Sequence, residues 1–324
     1  MKAKVTFTII LITLITNTYS QQTPVYSQYM FNKFLINPAI AGSEGYMAIN
    51  LTAHEQWLGV KDAPKTHAIS FQNRVSPQSF LNRLQPLRSR YAKPSRISKV
   101  GLGAYLYDDR RGLINQTGAQ LTYAYHMDLD ESQLSFGLTL SIMQYSINKD
   151  KIKLFESTDQ LVDNSNLKAL IPDFNFGVYY TTPEAYIGFS ALQLMQSPLK
   201  LGNVDKESFK QGRTYNLMGG YRFAIDRDYS IEPSFLLKST EQFNAQVDAG
   251  ARLYYQNNYW GGLAYRTGGV ISVNIGMRYD KFYFGYAFDY TMNALQSNSI
   301  GSHELMVSYK IGQSSRKYKW LERY

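Results

Sequence analysis

The stretch 133–142, QLSFGLTLSI, decides the fold. Leu134, Phe136, Leu138, Leu140 and Ile142 alternate with Gln133, Ser135, Gly137, Thr139 and Ser141, so an extended chain here has one oily face and one small or polar face. The same two-residue period returns at Ala119, Leu121, Tyr123 and Tyr125, and at Phe174, Phe176, Val178 and Tyr180. Later it carries Ile271, Val273, Ile275 and Met277, then Phe282, Phe284, Tyr286, Phe288 and Tyr290, then Leu305, Val307, Tyr309 and Ile311. A soluble sandwich also alternates. Here, however, the face opposite the oily one holds Asn216, Arg222, Glu232, Asp248, Arg252, Asn274, Arg278 and Asp289, which a dry core would penalise and a wet lumen tolerates. Gly101, Gly103, Gly177, Gly188, Gly220 and Gly285 fall on that same inner face. The pattern predicts an all-β, antiparallel transmembrane barrel in an outer membrane.

Counting segments of this kind gives about fourteen strands, at 46–57, 65–75, 97–108, 116–127, 132–144, 173–182, 184–192, 213–224, 229–238, 243–254, 259–266, 270–279, 281–291 and 302–311. An even count puts both chain ends on one side, expected to be the periplasm. Connectors at 128–131, 182–184, 226–228, 257–258 and 280 are short, as periplasmic turns are, while 145–172, 193–212 and 292–301 are longer and would face outward. The connector 76–97 breaks the rule, because it is long, nominally periplasmic and basic through Arg83, Arg88, Arg90, Lys93 and Arg96 with no acid. It is either an interaction arm or a sign that the count slips by one strand. Trp57, Tyr107, Tyr145 and Trp260 are the expected members of an aromatic girdle at the headgroup level.

Outside the barrel, residues 1–20 read as a signal peptide: Lys2 and Lys4 precede an apolar run too short to span a bilayer, and Thr18 and Ser20 suit cleavage before Gln21. The 324 residues include no cysteine, which excludes disulfides, thiolate metal sites and a lipid anchor on cysteine. Counts of 27 Tyr and 17 Phe exceed what a soluble domain needs. The net charge of +9, in an exported chain, points to anionic lipid or acidic protein surfaces rather than nucleic acid.

Catalytic chemistry is sought and not found. His54, His67, His126 and His303 are scattered without metal-ligand spacing, and no cofactor motif appears. Ser302, His303 and Glu304 are adjacent on a strand, so the serine and histidine point to opposite faces and cannot form a nucleophile pair.

Ahead of the first strand lies 26–45, YSQYMFNKFLINPAIAGSEG. Its residues Ser27, Gln28, Tyr29, Met30, Phe31 and Asn32, then Asn37, Pro38 and Gly42, resemble the amino-terminal signature of the PorP/SprF family of type IX secretion system membrane proteins. Gln56 and Trp57 with Gly59, and Ala63 and Pro64 with Thr66, are similar to two elements of that family's first hairpin. Ser302, His303 and Glu304 after Gly301 resemble the element that opens its last strand. Ile40 departs from a position where an aromatic is common, and the basic 76–97 connector points to a subfamily with its own partner. The resemblance implies an outer-membrane barrel of the type IX secretion and gliding machinery, without enzymatic activity. Its expected partners are periplasmic secretion subunits, a peptidoglycan-binding protein or a secreted adhesin.

The segment 21–45 has no lipid-facing role, so it is expected to cap the barrel, plug it or bind a partner; Asn37-Pro38 favours a turn. The tail 312–324, with Arg316, Lys317, Lys319 and Arg323 around Trp320, is either solvated or joins the basic arm in a periplasmic docking platform. The alternative function is a porin-like diffusion channel, which a barrel of this width could hold. Bulky lumen residues Tyr105, Tyr179, Tyr254 and Tyr283 argue for a filled interior.

Overall fold

The computed structural model describes residues 26–75, 99–129, 131–148, 168–199, 209–210, 212–292 and 299–311. Two single-turn 3-10 helices, Lys33–Leu35 and Pro38–Ile40, precede the strands. The strands are β1 (Met47–Glu55), β2 (Lys65–Val75), β3 (Val100–Arg111), β4 (Ile114–Leu129), β5 (Ser132–Ile147), β6 (Lys168–Thr181), β7 (Ala185–Leu192), β8 (Pro198–Leu199), β9 (Phe209–Lys210), β10 (Thr214–Tyr221), β11 (Phe223–Ala224), β12 (Tyr229–Thr240), β13 (Ala245–Tyr255), β14 (Tyr259–Arg266), β15 (Val270–Tyr279), β16 (Phe282–Thr291) and β17 (Ser302–Ile311).

From β1 to β7 and from β11 to β17 each strand pairs antiparallel with its successor, β7 pairs with β10, β10 with β12, and β17 returns to β1 with Met47 opposite Ile311. The result is a closed barrel of fourteen strands, with β8 and β9 forming a small hairpin beside it and β11 extending the β10 edge. Closure leaves no open edge, so every spanning backbone N–H and C=O is satisfied by a neighbouring strand.

Burial is inverted relative to a soluble protein. Along β4 and β5, Leu121 is 66% exposed and Leu138 57%, while Gln133 and Ser135 are completely buried. Large apolar side chains such as Ile187, Leu263, Ile275 and Leu305 continue this exposed band around the barrel. Such a surface is stable against hydrocarbon and not against water. No described helix is apolar and long enough to cross a membrane.

The spans predicted from the period agree with the ladder except at the ends. β3 and β4 run on to a tight turn at Gly112 and Leu113, and β5 and β6 reach Ile147 and Lys168, beyond the oily pattern. Outside the bilayer a hairpin needs only its backbone bonds, so the alternation stops before the strand does.

The two ends of the barrel differ. Apart from the 76–99 connector, the one carrying the start of β1 and the end of β17 has only tight connections, including a turn with Gln256 and Asn257 at positive φ, whereas the opposite end combines tight turns at 112–113 and 267–269 with the longer connections 148–167, 193–213 and 292–301. Short turns mark the periplasmic side. β2 leaves and β3 returns at this end, so the strand count does not slip at the 76–97 connector.

The girdle corrects an expectation. Tyr107 and Trp260 lie on the lumenal face, Tyr107 stacked on Tyr105 at 5.2 Å and Trp260 against Phe31 at 5.8 Å. Tyr145 shares the inward register, and Trp57 sits in the β1–β2 turn at positive φ. The periplasmic belt is formed instead by outward-facing strand-end aromatics, Tyr221 with Phe223, Tyr229 with Tyr255, and the exposed Phe282 with the half-buried Tyr309. Parity along the strand, not ring chemistry, decides which aromatics meet lipid.

Candidate functional site: the plugged lumen

Residues 26–45 fill the lumen. Nearly all of them are buried although none belongs to the wall, and Tyr26, Tyr29, Met30, Phe34, Ile36, Ala39 and Ile40 form a small apolar core with wall residues Tyr105, Tyr179, Tyr186, Met218, Leu236 and Met306.

The segment is fixed at its beginning by charge. Glu304 on β17 accepts the backbone N–H of Ser27 at 2.7 Å and of Gln28 at 2.9 Å, and Gln28 Nε2 donates to the carbonyl of Glu304 at 3.1 Å. His54 Nδ1 lies 3.6 Å from the same carboxylate. The Ser27 hydroxyl donates to Asp289, which also faces Arg266 at 3.5 Å; Arg266 pairs with Asp248 at 2.7 Å. A buried carboxylate is costly unless donors surround it, and here two main-chain amides of the plug provide them.

Its middle lies across the barrel. Asn32 Nδ2 donates to Ser70 Oγ at 2.8 Å, and the Lys33 ammonium sits 3.8 Å from Glu232 and 3.6 Å from the centre of the Tyr186 ring. Ser234 Oγ meets Met30 Sδ at 2.8 Å. The second 3-10 turn is closed by Asn37, whose Oδ1 accepts from Ala39 N at 2.9 Å while its Nδ2 donates to the carbonyls of Val178 (2.9 Å) and Phe189 (3.1 Å). One amide therefore caps the turn and joins β6 to β7. The Ile36 carbonyl accepts from Ser190 Oγ at 2.7 Å, and the Ala41 carbonyl lies 3.0 Å from His126 Nε2. Near β1, Glu44 pairs with Lys310 at 3.0 Å.

The wall is shaped to admit this chain. A Cβ at Gly101 would strike the Ala41 carbonyl, at Gly103 the Phe34 ring, at Gly137 the backbone of Pro38 and Ala39, and at Gly177 or Gly188 the Asn37 side chain. These glycines serve as clearance for a second backbone layer. Burial pushes the Tyr29 hydroxyl up to about 12, and that of Tyr26, which shares a hydrogen bond with Tyr105, well above the ordinary tyrosine range, so both are neutral hydrogen-bonding groups at physiological pH.

The residues singled out from the sequence fall into separate places. Ser27, Gln28, Tyr29, Met30, Phe31, Asn32, Asn37, Pro38 and Gly42 all belong to the plug, and Glu304 is its anchor. Gln56, Trp57 and Pro64 form the β1–β2 turn at the outer end, where Trp57 N donates to Ser302 Oγ at 3.1 Å and Leu58 N to the Gly301 carbonyl at 2.8 Å. His303 points outward to the Tyr286 hydroxyl at 2.7 Å, opposite in direction to Ser302 and Glu304. Arg88, Arg90, Lys93, Arg96, Arg316, Lys317, Lys319 and Trp320 lie outside the described residues. Sequence reasoning missed the roles of His54, His126, Lys33 and Arg266. Inward parity on β1, β4 and β14 is the only signal that marks the three wall residues among them.

Among the described residues no group of His, Asp and Glu could hold a metal ion. What the arrangement offers is a closed barrel whose lumen is occupied by its own amino-terminal segment.

No curated protein matches the chain. Among solved structures, the Acinetobacter baumannii outer membrane protein Omp33 aligns at 7% identity and a TM-score of 0.44, covering 82% of this chain and 99% of that one. The Pseudomonas putida toluene transporter TodX aligns at 9% identity and a TM-score of 0.44, covering 86% and 93%. The family model described as type IX secretion system membrane protein PorP/SprF matches residues 18–309. A closed, lipid-facing barrel whose plug is built from the signature residues agrees with that match over most of the sequence, and the chain belongs to the PorP/SprF family of outer-membrane type IX secretion proteins.

Proposed function

We propose that this protein is a non-enzymatic component of the type IX secretion machinery that anchors or supports export and surface attachment of secreted proteins through protein–protein contacts. The observation that carries the reading is the plug: a covalently attached segment bonded to residues of β2, β4, β6, β7, β12, β16 and β17 occupies the space a diffusion channel needs. Binding surfaces at the two mouths, on a wall that stays fixed, then remain as the working parts. The family places the barrel in the secretion system, and the partners expected there are periplasmic secretion subunits, a peptidoglycan-binding protein or an exported adhesin.

Two measurements test this against the porin reading. In planar bilayers the purified barrel is expected to show no steady open conductance, and a strain lacking it is expected to lose surface display of secreted proteins. Steady conductance together with intact secretion would reverse the assignment.

A further inference from the structure

The periplasmic mouth gathers Arg222, Arg252, Arg278 and Lys310, of which Lys310 is paired with Glu44 of the plug. Beneath it lies a recess of about 40 Å³ bounded chiefly by Phe31, Arg252, Tyr254, Trp260, Tyr283 and Lys310, and no acidic residue lines it. Arg252 is almost wholly buried, with its Nε on Asn274 Oδ1 at 3.1 Å. The Trp260 ring is more than nine-tenths buried, and its Nε1 donor has no partner among the described residues. Two further cations flank the recess on tyrosine faces: the Arg222 guanidinium 4.2 Å from the Tyr254 ring centre, and that of Arg278 5.4 Å from Tyr283, with Lys310 4.5 Å from the same Tyr283 ring.

Nearby carboxylates are otherwise engaged. Glu44 takes Lys310, Glu232 takes Lys33, Asp226 accepts the N–H groups of Asp228 and Tyr229, and Asp228 accepts Gln256 Nε2 at 3.0 Å. Stacking on rings holds the guanidinium planes in place, which lowers the entropy lost when they grip an anion. The recess admits a carboxylate.

We propose that this mouth binds an acidic peptide segment of a periplasmic protein, seating a carboxylate against Arg252 and the Trp260 Nε1 donor with an adjoining apolar side chain against the exposed aromatic edges. The site deepens the docking reading above and rests on it for the partner's location, but its chemistry is testable on the purified protein alone. The probe is a short fluorescent peptide of alternating Glu and Phe, titrated onto the full-length barrel in detergent, with its Gln-for-Glu counterpart as control. Saturable binding is expected for the acidic peptide and not for the control.

Arg222→Gln with Arg278→Gln, both at the half-exposed rim, should weaken binding by roughly tenfold per charge removed, while heat-modifiable electrophoretic migration shows that the variant is folded. Arg222→Glu with Arg278→Glu should transfer preference to a peptide of alternating Lys and Phe. Equal binding of both peptides to the wild type, or unchanged affinity in the rim variants, would overturn the proposal. Displacement of the peptide by equimolar inorganic phosphate would overturn it too, in favour of a phosphate site. None of these outcomes depends on the secretion phenotype, so failure here is separable from failure of the proposed function.

Discussion

Glu304 holds the start of the plug although it lies 277 residues from Ser27 in the chain. Glu304→Ala would leave two amide donors and His54 facing an empty site, a loss of roughly 3 kcal/mol for buried donors left without their acceptor. The expected result is a lower unfolding temperature in heat-modifiable migration and intermittent conductance as the plug loosens. Gly137→Val should act from the other side by overpacking: its side chain presses into Pro38 and Ala39, at about 1–3 kcal/mol. A similar valine at Gly112, which has open space around it, would strain only the turn. At this scale the sequence told which side chains face inward, since parity is local. It did not tell that His126 meets the Ala41 carbonyl, because no local pattern links residues 85 positions apart.

The plug behaves as an element of its own. Its contacts with the wall are hydrogen bonds, apolar packing and two ion pairs, Lys33 with Glu232 and Glu44 with Lys310, whereas the wall is held by a closed ladder. Removing residues 26–45 should therefore leave a folded barrel with a wet polar lumen, and planar-bilayer recordings are expected to show the steady conductance that the intact protein lacks. The tyrosines add a pH dependence. The folded state holds the Tyr29 proton to about pH 12, whereas an unfolded tyrosine releases it near 10, so their contribution is complete below about pH 10 and is lost as pH rises towards 12. Conductance that rises reversibly over that window, and less steeply in Tyr29→Phe, is the expected signature. The strands were legible because apolar alternation is imposed by lipid on one side and water on the other. The segment 26–45 was legible only as something other than a strand, with cap, plug and partner site all open. Its shape comes from a cavity that exists only after the barrel closes.

For the whole molecule, charge asymmetry carries the next test. In the sequence Arg88, Arg90, Lys93 and Arg96 follow β2 and Arg316, Lys317 and Lys319 follow β17, two strands that finish at the same end of the barrel. If they form a docking platform, glutamine at these positions should abolish copurification with a periplasmic secretion subunit at matched expression, while barrel folding is unchanged. Recovery equal to the wild type would exclude the platform and leave the aromatic mouth as the contact.

The sequence by itself determined the membrane barrel, its strand number and the polarity of each face, because a two-residue period reports directly on whether alternate side chains meet hydrocarbon. Through its resemblance it also pointed to the family. Only the tertiary structure decided that Tyr107 and Trp260 turn inward, that the signature residues pack inside the wall, and that Glu304 and five wall glycines receive them. Those facts depend on closure: pairing β17 with β1 brings residues from both ends of the chain around one lumen, and contacts made across it leave no periodic trace in the sequence.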